Sequence, residues 1–196
     1  HDLHTRLTRL RLGLGLIDED GAAPLIRDVD EMQHLLDAFL DFARGDAEDD
    51  FETVDPVALA QEVIADAHRT GQAVEAGGMQ GDGDVTLRPM ALRRALQNLL
   101  ANALRYGTKA RLSVTVGARS VRFTIEDDGP GIAAEDRDEA IRPFVRLDPA
   151  RNQDRGTGVG LGLAIVADIA RSHGGSLRLG DSDDLGGLKA DLVLAR

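Results

Sequence analysis

The stretch GTGVGLGLAIV, residues 156–166, carries the strongest signal for the fold of this chain. Gly158, Gly160 and Gly162 leave a loop without side chains, so the backbone can approach a ligand closely. The apolar run after them predicts a helix, and a helix that begins directly after such a loop presents its first N–H groups to a phosphate. Taken alone, the pattern leaves a plain flexible turn before a helix equally open.

Two common phosphate-binding loops do not fit this stretch. A dinucleotide-binding loop directly follows a strand, whereas the residues before the glycines, DPARNQDR (148–155), are a polar loop. A P-loop requires Gly-Lys-Ser/Thr, and no lysine lies nearby. The glycine loop therefore needs other elements to define a site.

A second glycine loop follows the predicted strand in VRFTIEDDGPGI, residues 121–132. Asp127 stands at the end of the strand, where a carboxylate can accept a hydrogen bond from an exocyclic amine such as that of adenine. Gly129 and Gly131 would permit a turn over the base. Because DDGPG is rich in turn-forming residues, an ordinary strand-to-loop turn remains the alternative.

A predicted helix over residues 88–107 carries the third element. Asn98, Asn102 and Arg105 are spaced 4 and 3 and share one face, opposite a stripe of leucines. The side-chain amide oxygens of the two asparagines suit Mg²⁺, which prefers oxygen ligands and keeps several waters. Solvated asparagines are the alternative, although two of them above an arginine, between two glycine loops, favour a site.

Composition sets limits on the partners. The chain has 196 residues, a net charge of −11, no cysteine and 3% aromatic residues, so its core consists mainly of Leu, Val, Ile and Ala. The absence of a basic stretch argues against nucleic acid and against an anionic membrane surface. No run approaches the roughly 18 apolar residues of a membrane helix. Because the chain begins without Met, we expect a fragment of a longer protein, which leaves a membrane segment upstream open.

The N-terminal region predicts an antiparallel helical hairpin that pairs with a second copy into a four-helix bundle. Its first helix has apolar residues spaced 4, 3, 4 and 3, and its second helix alternates in the same way. The apolar positions are Leu3, Leu7, Leu10, Leu14 and Ile17, followed by Leu25, Val29, Met32, Leu36, Phe39 and Ala43.

The predicted organisation is a hairpin at 1–45, an acidic linker at 46–55 and an α/β sandwich at 56–196. Helices at about 56–68, 88–107 and in LGLAIVADIARSHGG alternate with strand-like stretches at 85–88, 111–118, 121–127, SLRLG and LKADLVLA. Since this order lacks a regular βαβ rhythm, an α+β sandwich is favoured over a doubly wound sheet.

Four ordered motifs resemble those of a known family. NLLANALRYG (98–107), EDDGPGI (126–132), RPFVRLDPAR (142–151) and GTGVGLGLAIV (156–166) are similar to the N, G1, F and G2 boxes of the ATP-binding domain of sensor histidine kinases. That domain belongs to the superfamily of the 90-kDa heat-shock chaperones, type II topoisomerases and mismatch-repair clamps. HDLHTRLTRL (1–10) similarly resembles the phosphoacceptor box, with most likeness to the osmosensing branch.

The resemblance implies ATP and Mg²⁺ as cofactors and gives each matching residue a role. Asp127 would bind the adenine amine, Asn102 with Asn98 would hold Mg²⁺, and Phe144 would anchor a mobile lid. The other residues of the implied ATP site are Arg105, Tyr106, Gly129, Gly131, Arg146, Arg151, Gly158, Gly160, Gly162 and Leu163.

His1 would be the phosphoacceptor, which passes its phosphoryl group to an aspartate of a response regulator. The heptad pattern independently places His1 on the solvent face of its helix, and Asp2 beside it can fix the nucleophilic tautomer. Asp2 and Thr5 resemble positions that assist the reverse, dephosphorylating activity. The chain departs from the family at His4 and Arg6, where Arg and Pro are usual, and it lacks the half-helix that normally precedes the histidine.

Two other functions compete with that of a kinase. A hydrolysing ATPase clamp carries Glu where Asn98 stands, and asparagine cannot act as a general base, which makes that function the weaker one. A dimeric ATP-binding pseudokinase that holds a response regulator without phosphotransfer stays open because of the altered phosphoacceptor box.

Overall fold

The structure is a computed structural model that describes residues 49–147 and 160–196, together with the isolated helical positions Ile26, Val29, Met32 and Leu36. The predicted hairpin otherwise lies outside the described residues, as do residues 148–159. The four-helix bundle therefore stays a prediction. None of the helices in the described part of the chain has the length and apolarity needed to cross a membrane.

The helices begin and end where local chemistry favours it. The carboxylate of Asp55 accepts hydrogen bonds from the N–H groups of Val57 (2.8 Å) and Ala58 (3.2 Å), and Pro56 occupies the first helical position. The helices are α1 (Pro56–Arg69), α2 (Pro89–Tyr106), the short α3 (Arg137–Ala140) and α4 (Gly162–Ser172), with a 3-10 turn at Ala134–Asp136. The three longer helices confirm those predicted from the sequence.

The strands form two sheets. They are β1 (Glu52–Val54), β2 (Val74–Gln80), β3 (Val85–Leu87), β4 (Ala110–Val116), β5 (Ser120–Asp127), β6 (Ser176–Asp181) and β7 (Leu188–Ala195). Five of them follow the order β2-β4-β5-β7-β6, in which β2 is parallel to β4 and the other pairs are antiparallel. β1 and β3 form a separate antiparallel pair.

One face of the larger sheet carries the core. Alternate residues of β4 and β7 are buried, and α1, α2 and α4 pack against the sheet. Leu92 and Leu96 of α2, Phe123 of β5 and Ile169 of α4 are almost fully enclosed, and each such side chain contributes about 1.5–3 kcal/mol. The predicted two-layer α/β sandwich is confirmed for the described residues.

Two strands were not predicted from the sequence. β1 lies in the segment predicted as linker, and it is a three-residue strand that pairs with residues more than thirty positions away. β2 contains Gly77 and Gly78, and its register with β4 shifts between Ala76 and Met79. Glycines weaken the strand pattern and accompany a bulge, so the alternation that marks a strand is lost here.

Candidate functional site

The structure brings three of the predicted motifs together at one end of the sheet. A Cβ atom on Gly129, after β5, would lie 3.1 Å from the carbonyl group of Tyr106 at the end of α2. A Cβ atom on Gly162, at the start of α4, would lie 3.8 Å from Oδ1 of Asn98. The loop after β5 therefore lies against the C-terminal end of α2, and the N-terminus of α4 lies against the middle of the same helix.

Asp127 is buried at the end of β5, with 5% of its surface exposed. The backbone N–H groups of Gly129 (2.9 Å) and Leu188 (3.0 Å) both donate to its Oδ1. Among the described residues, no hydrogen bond ends on Oδ2. That oxygen is therefore available to accept a hydrogen bond from a ligand.

The electrostatics of Asp127 reflect its burial. Removal from water raises the pKa of its carboxyl group, the two backbone N–H groups act in the opposite direction, and the nearby charge of Asp128 raises it further. A buried carboxylate whose pKa is perturbed by desolvation, with one oxygen directed away from its own backbone partners, is typical of a binding site.

Asp128 fixes the turn that follows α2. Its Oδ1 accepts hydrogen bonds from the N–H groups of Thr108 (2.7 Å) and Lys109 (3.1 Å), and its Oδ2 accepts one from the Thr108 hydroxyl. These bonds, led by the one from the hydroxyl, lower the pKa of Asp128 to about 2. Asp128 therefore differs from Asp127, because both of its carboxylate oxygens already accept hydrogen bonds from the protein.

We predict that Asp128→Asn reduces stability in a pH-dependent way. Because the pKa of Asp128 is lower in the folded than in the unfolded chain, its contribution is complete above about pH 4 and is lost as the pH falls toward 2. The free energy of unfolding, measured with urea from pH 7 to pH 2.5, should differ most between the two proteins at the upper end and converge at the lower end. A difference in unfolding free energy that stays constant from pH 7 to pH 2.5 would contradict the lowered pKa of Asp128.

Sequence reasoning missed Gly187 and Leu188. The N–H of Gly187 donates to the carbonyl oxygen of Asp127 (3.0 Å), and a Cβ atom on Gly187 would lie 2.3 Å from Oδ1 of Asp127. Gly187 and Leu188 stand 60 and 61 positions after Asp127 and reach it because β7 pairs with β5. The only local signal is the glycine pair in DDLGGLKADL, which by itself predicts a turn.

Phe144 and Gly160 meet although residues 145–159 separate them in sequence. Both have positive φ angles, 66° and 73°, and the Phe144 N–H donates to the Gly160 carbonyl oxygen (2.9 Å). A Cβ atom on Gly160 would lie 2.7 Å from the carbonyl oxygen of Val145, so this contact requires glycine. The Phe144 ring is exposed, as is Arg146. Gly158 and Arg151 of the predicted site lie outside the described residues.

The N-terminus of α4 is suited to an anion. Leu161, at the N-cap position, makes no side-chain hydrogen bond to the first turn, and that turn carries no acidic residue. Gly162, which has no side chain, begins the helix, while Leu163 is buried against the core. Backbone N–H groups and the helix dipole at such a terminus favour phosphate oxygens.

The metal ligands that the described residues offer are amide oxygens. No group of three or more His, Asp or Glu side chains in residues 49–147 and 160–196 is arranged to hold a metal ion. Asn98 and Asn102 are half-buried on the face of α2 that borders the site, and Arg105 and Tyr106 follow at the end of that helix. His1, Asp2 and Thr5 lie outside the described residues.

Comparison with known proteins defines the class. Residues 87–194 match the family model of the histidine kinase-, DNA gyrase B- and HSP90-like ATPases, and the chain belongs to this family. The ATP-binding domain of PrrB from Mycobacterium tuberculosis superimposes with a TM-score of 0.61 at 30% identity, covering 75% of this chain and 98% of that one.

Within this class, the sequence places the chain among the bacterial sensor histidine kinases. The sensor histidine kinase GtrS of Pseudomonas aeruginosa is 37% identical over 198 residues, which cover 100% of this chain and 40% of the relative. The histidine kinase domain of the E. coli osmosensor EnvZ is 39% identical with a TM-score of 0.56, covering 74% of this chain and 88% of that one. The predicted family is therefore confirmed. The chain spans less than half the length of the curated relatives it matches.

Proposed function

We propose that this chain is the ATP-binding and phosphoacceptor core of a sensor histidine kinase. It transfers the γ-phosphoryl group of ATP to His1 and then to an aspartate of a response regulator, and Asp2 and Thr5 assist the reverse dephosphorylation of the regulator. Two observations carry this proposal. Oδ2 of buried Asp127 accepts no hydrogen bond from the described residues, and the N-terminus of α4 receives no side-chain cap from its N-cap residue Leu161. One feature suits an adenine amine and the other suits phosphates.

The described residues fit ATP and Mg²⁺ in the proposed roles. Asp127 accepts a hydrogen bond from the adenine amine, and Gly129 and Gly131 permit the turn over the base. The N-terminus of α4 would hold phosphate oxygens, and the amide oxygens of Asn98 and Asn102 would hold Mg²⁺, a cation that prefers oxygen ligands. Mg²⁺ would neutralise the negative charge of the phosphates during transfer.

The proposed transfer is a displacement at phosphorus. A ring nitrogen of His1 forms a bond to the γ-phosphorus while the bond to the bridging oxygen breaks and ADP leaves. Asp2 holds the proton on the other ring nitrogen, which keeps the attacking nitrogen unprotonated. Arg146 and Arg151 are the proposed partners of the transferred group, since their charge offsets that of the phosphoryl oxygens.

The proposed organisation follows the sequence. Residues 1–45 form a hairpin that dimerises and presents His1, residues 46–55 connect it to the catalytic domain, and the domain occupies 56–196. The response regulator contacts the hairpin. We place this portion in the cytoplasm, attached to an inner-membrane sensor.

We predict that the chain gains the mass of one phosphate when it is incubated with Mg-ATP, and that His1→Gln abolishes the gain. The reason is that glutamine offers no nucleophilic nitrogen. Intact mass spectrometry before and after acid treatment measures the effect, because a phosphohistidine is acid-labile. His4→Gln is the matched control and should still be phosphorylated. Unchanged mass in a parent chain that binds ATP by titration would instead support a nucleotide-binding scaffold without kinase activity.

A further inference from the structure

Helix α2 carries both proposed Mg²⁺ ligands, yet its own N-cap residue does not cap it. Arg88 occupies the N-cap position and makes no side-chain hydrogen bond to the first turn. Instead the N–H of Ala91 donates to Oδ2 of Asp49, at 2.6 Å, from 42 residues earlier in the chain. A carboxylate at this position satisfies an otherwise unpaired donor and interacts favourably with the helix dipole.

A ring stack lies next to this cap. The Arg88 guanidinium lies 4.6 Å from the centre of the Phe51 ring, and the Phe51 ring meets the His173 ring edge to face at 5.4 Å. Phe51 immediately precedes β1, and Arg88 immediately follows its partner β3. The segment 49–54 is therefore attached to the start of α2 by a cap, a ring stack and a strand pair.

His173 joins the same junction to α4. It is buried directly after the last turn of α4, where its Nδ1 donates to the Ile169 carbonyl oxygen (2.8 Å). Its Nε2 accepts a hydrogen bond from the Arg88 N–H (3.0 Å), which assigns the proton to Nδ1. The ring thus bridges the end of α4 and the start of α2.

α4 consequently contacts α2 at both of its own ends. At one end His173 contacts Arg88, and at the other end Gly162 approaches Asn98. The second of these contacts borders the proposed phosphate and Mg²⁺ positions. A shift of α2 along α4 would separate Asn98 from Gly162, and the segment 49–51 opposes that shift from the far end.

We propose that Asp49 and Phe51 form a positioning clip at the start of α2. Through Arg88 and His173, this clip makes nucleotide affinity depend on the position of the segment 49–54. This inference rests on the nucleotide site proposed above. When the clip is seated, α2 and α4 hold their relative position. When the segment is displaced, the first turn of α2 loses its cap and the ring stack opens.

The test is the dissociation constant of Mg-ATP for the full chain, measured by calorimetry at a temperature where circular dichroism shows every variant folded. Asp49→Ala should weaken binding by about fivefold, which is an ordinary coupling between two sites. Asp49→Asn should bind nearly as the parent does, because asparagine is an equally good cap. Phe51→Leu keeps the apolar volume but removes the ring, and it should also weaken binding. Asp50→Ala, at the exposed neighbouring carboxylate, is the matched control and should have no effect.

Thermodynamic reciprocity gives a second readout. If segment 49–54 favours ATP binding, saturating ATP must slow hydrogen exchange in residues 49–54 and 90–92 by a similar factor. This slowing should be lost in Asp49→Ala. An Asp49→Ala chain that is less stable but binds ATP as the parent does would overturn the clip, because its role would then be only structural. A parent chain that fails to bind ATP would refute the proposed nucleotide site instead.

Discussion

Asp127→Asn is expected to weaken ATP binding by about 10- to 100-fold while the fold stays intact. Both backbone donors, Gly129 and Leu188, end on Oδ1, so the oxygen of an asparagine side chain takes that place and keeps both hydrogen bonds. Its NH₂ group then replaces Oδ2. In the proposed site a donor would face the adenine amine, which is also a donor.

The same substitution should change the purine preference. A 6-oxo purine presents an acceptor where adenine presents its amine, so inosine triphosphate should bind Asp127→Asn better than ATP does. Calorimetric titration of both nucleotides against parent and variant measures this change. If the variant loses ATP and gains nothing for inosine triphosphate, the amine does not meet Asp127 and the proposed orientation of the base is wrong.

The variant should not be less stable than the parent at neutral pH. The pKa of Asp127 is raised in the folded chain, chiefly by burial. As the pH rises from about 4, this carboxyl ionises first in the unfolded chain. The free energy of unfolding therefore falls until the pH has passed the folded pKa. Asparagine removes this penalty, so the advantage of Asp127→Asn in urea unfolding should grow across that range.

Gly187→Ala is expected to reduce stability by about 1–3 kcal/mol and to weaken ATP binding at least about tenfold. The added Cβ atom would lie 2.3 Å from Oδ1 and 2.5 Å from the carbonyl oxygen of Asp127. Since these atoms belong to the end of a central strand, Asp127 must move. Thermal unfolding and ATP titration measure the two effects.

Gly186→Ala is the matched control for this experiment. Gly186 has a φ of 84°, and a Cβ atom on it would have open space around it. Alanine there costs about 1 kcal/mol in backbone strain but should leave ATP binding unchanged. If Gly186→Ala weakens ATP binding as much as Gly187→Ala, the effect comes from general loosening of the loop and not from displacement of Asp127.

The sequence predicted those parts of the site that depend on local pattern. The leucine stripe of α2 fixes which face carries Asn98 and Asn102, and the alternation in β5 ends at Asp127, so both could be placed from spacing alone. Leu188 and Gly187 could not be placed, because their contact with Asp127 depends on which strand lies beside β5. Asp49 was likewise assigned to a linker, since nothing local indicates that it caps a helix 42 residues away.

The position of β7 has a consequence for how the protein is made. β7 is the last strand in the chain, yet it lies between β5 and β6 and supplies the Leu188 N–H to Asp127. Arg196 at the end of the chain donates its N–H to the Arg119 carbonyl oxygen (3.1 Å). Before β7 emerges from the ribosome, the nascent chain lacks one of the two backbone N–H donors to Asp127, that of Leu188. If the proposed nucleotide site is right, it can form only after β7 has been synthesised, because β7 supplies the Leu188 N–H that holds Asp127.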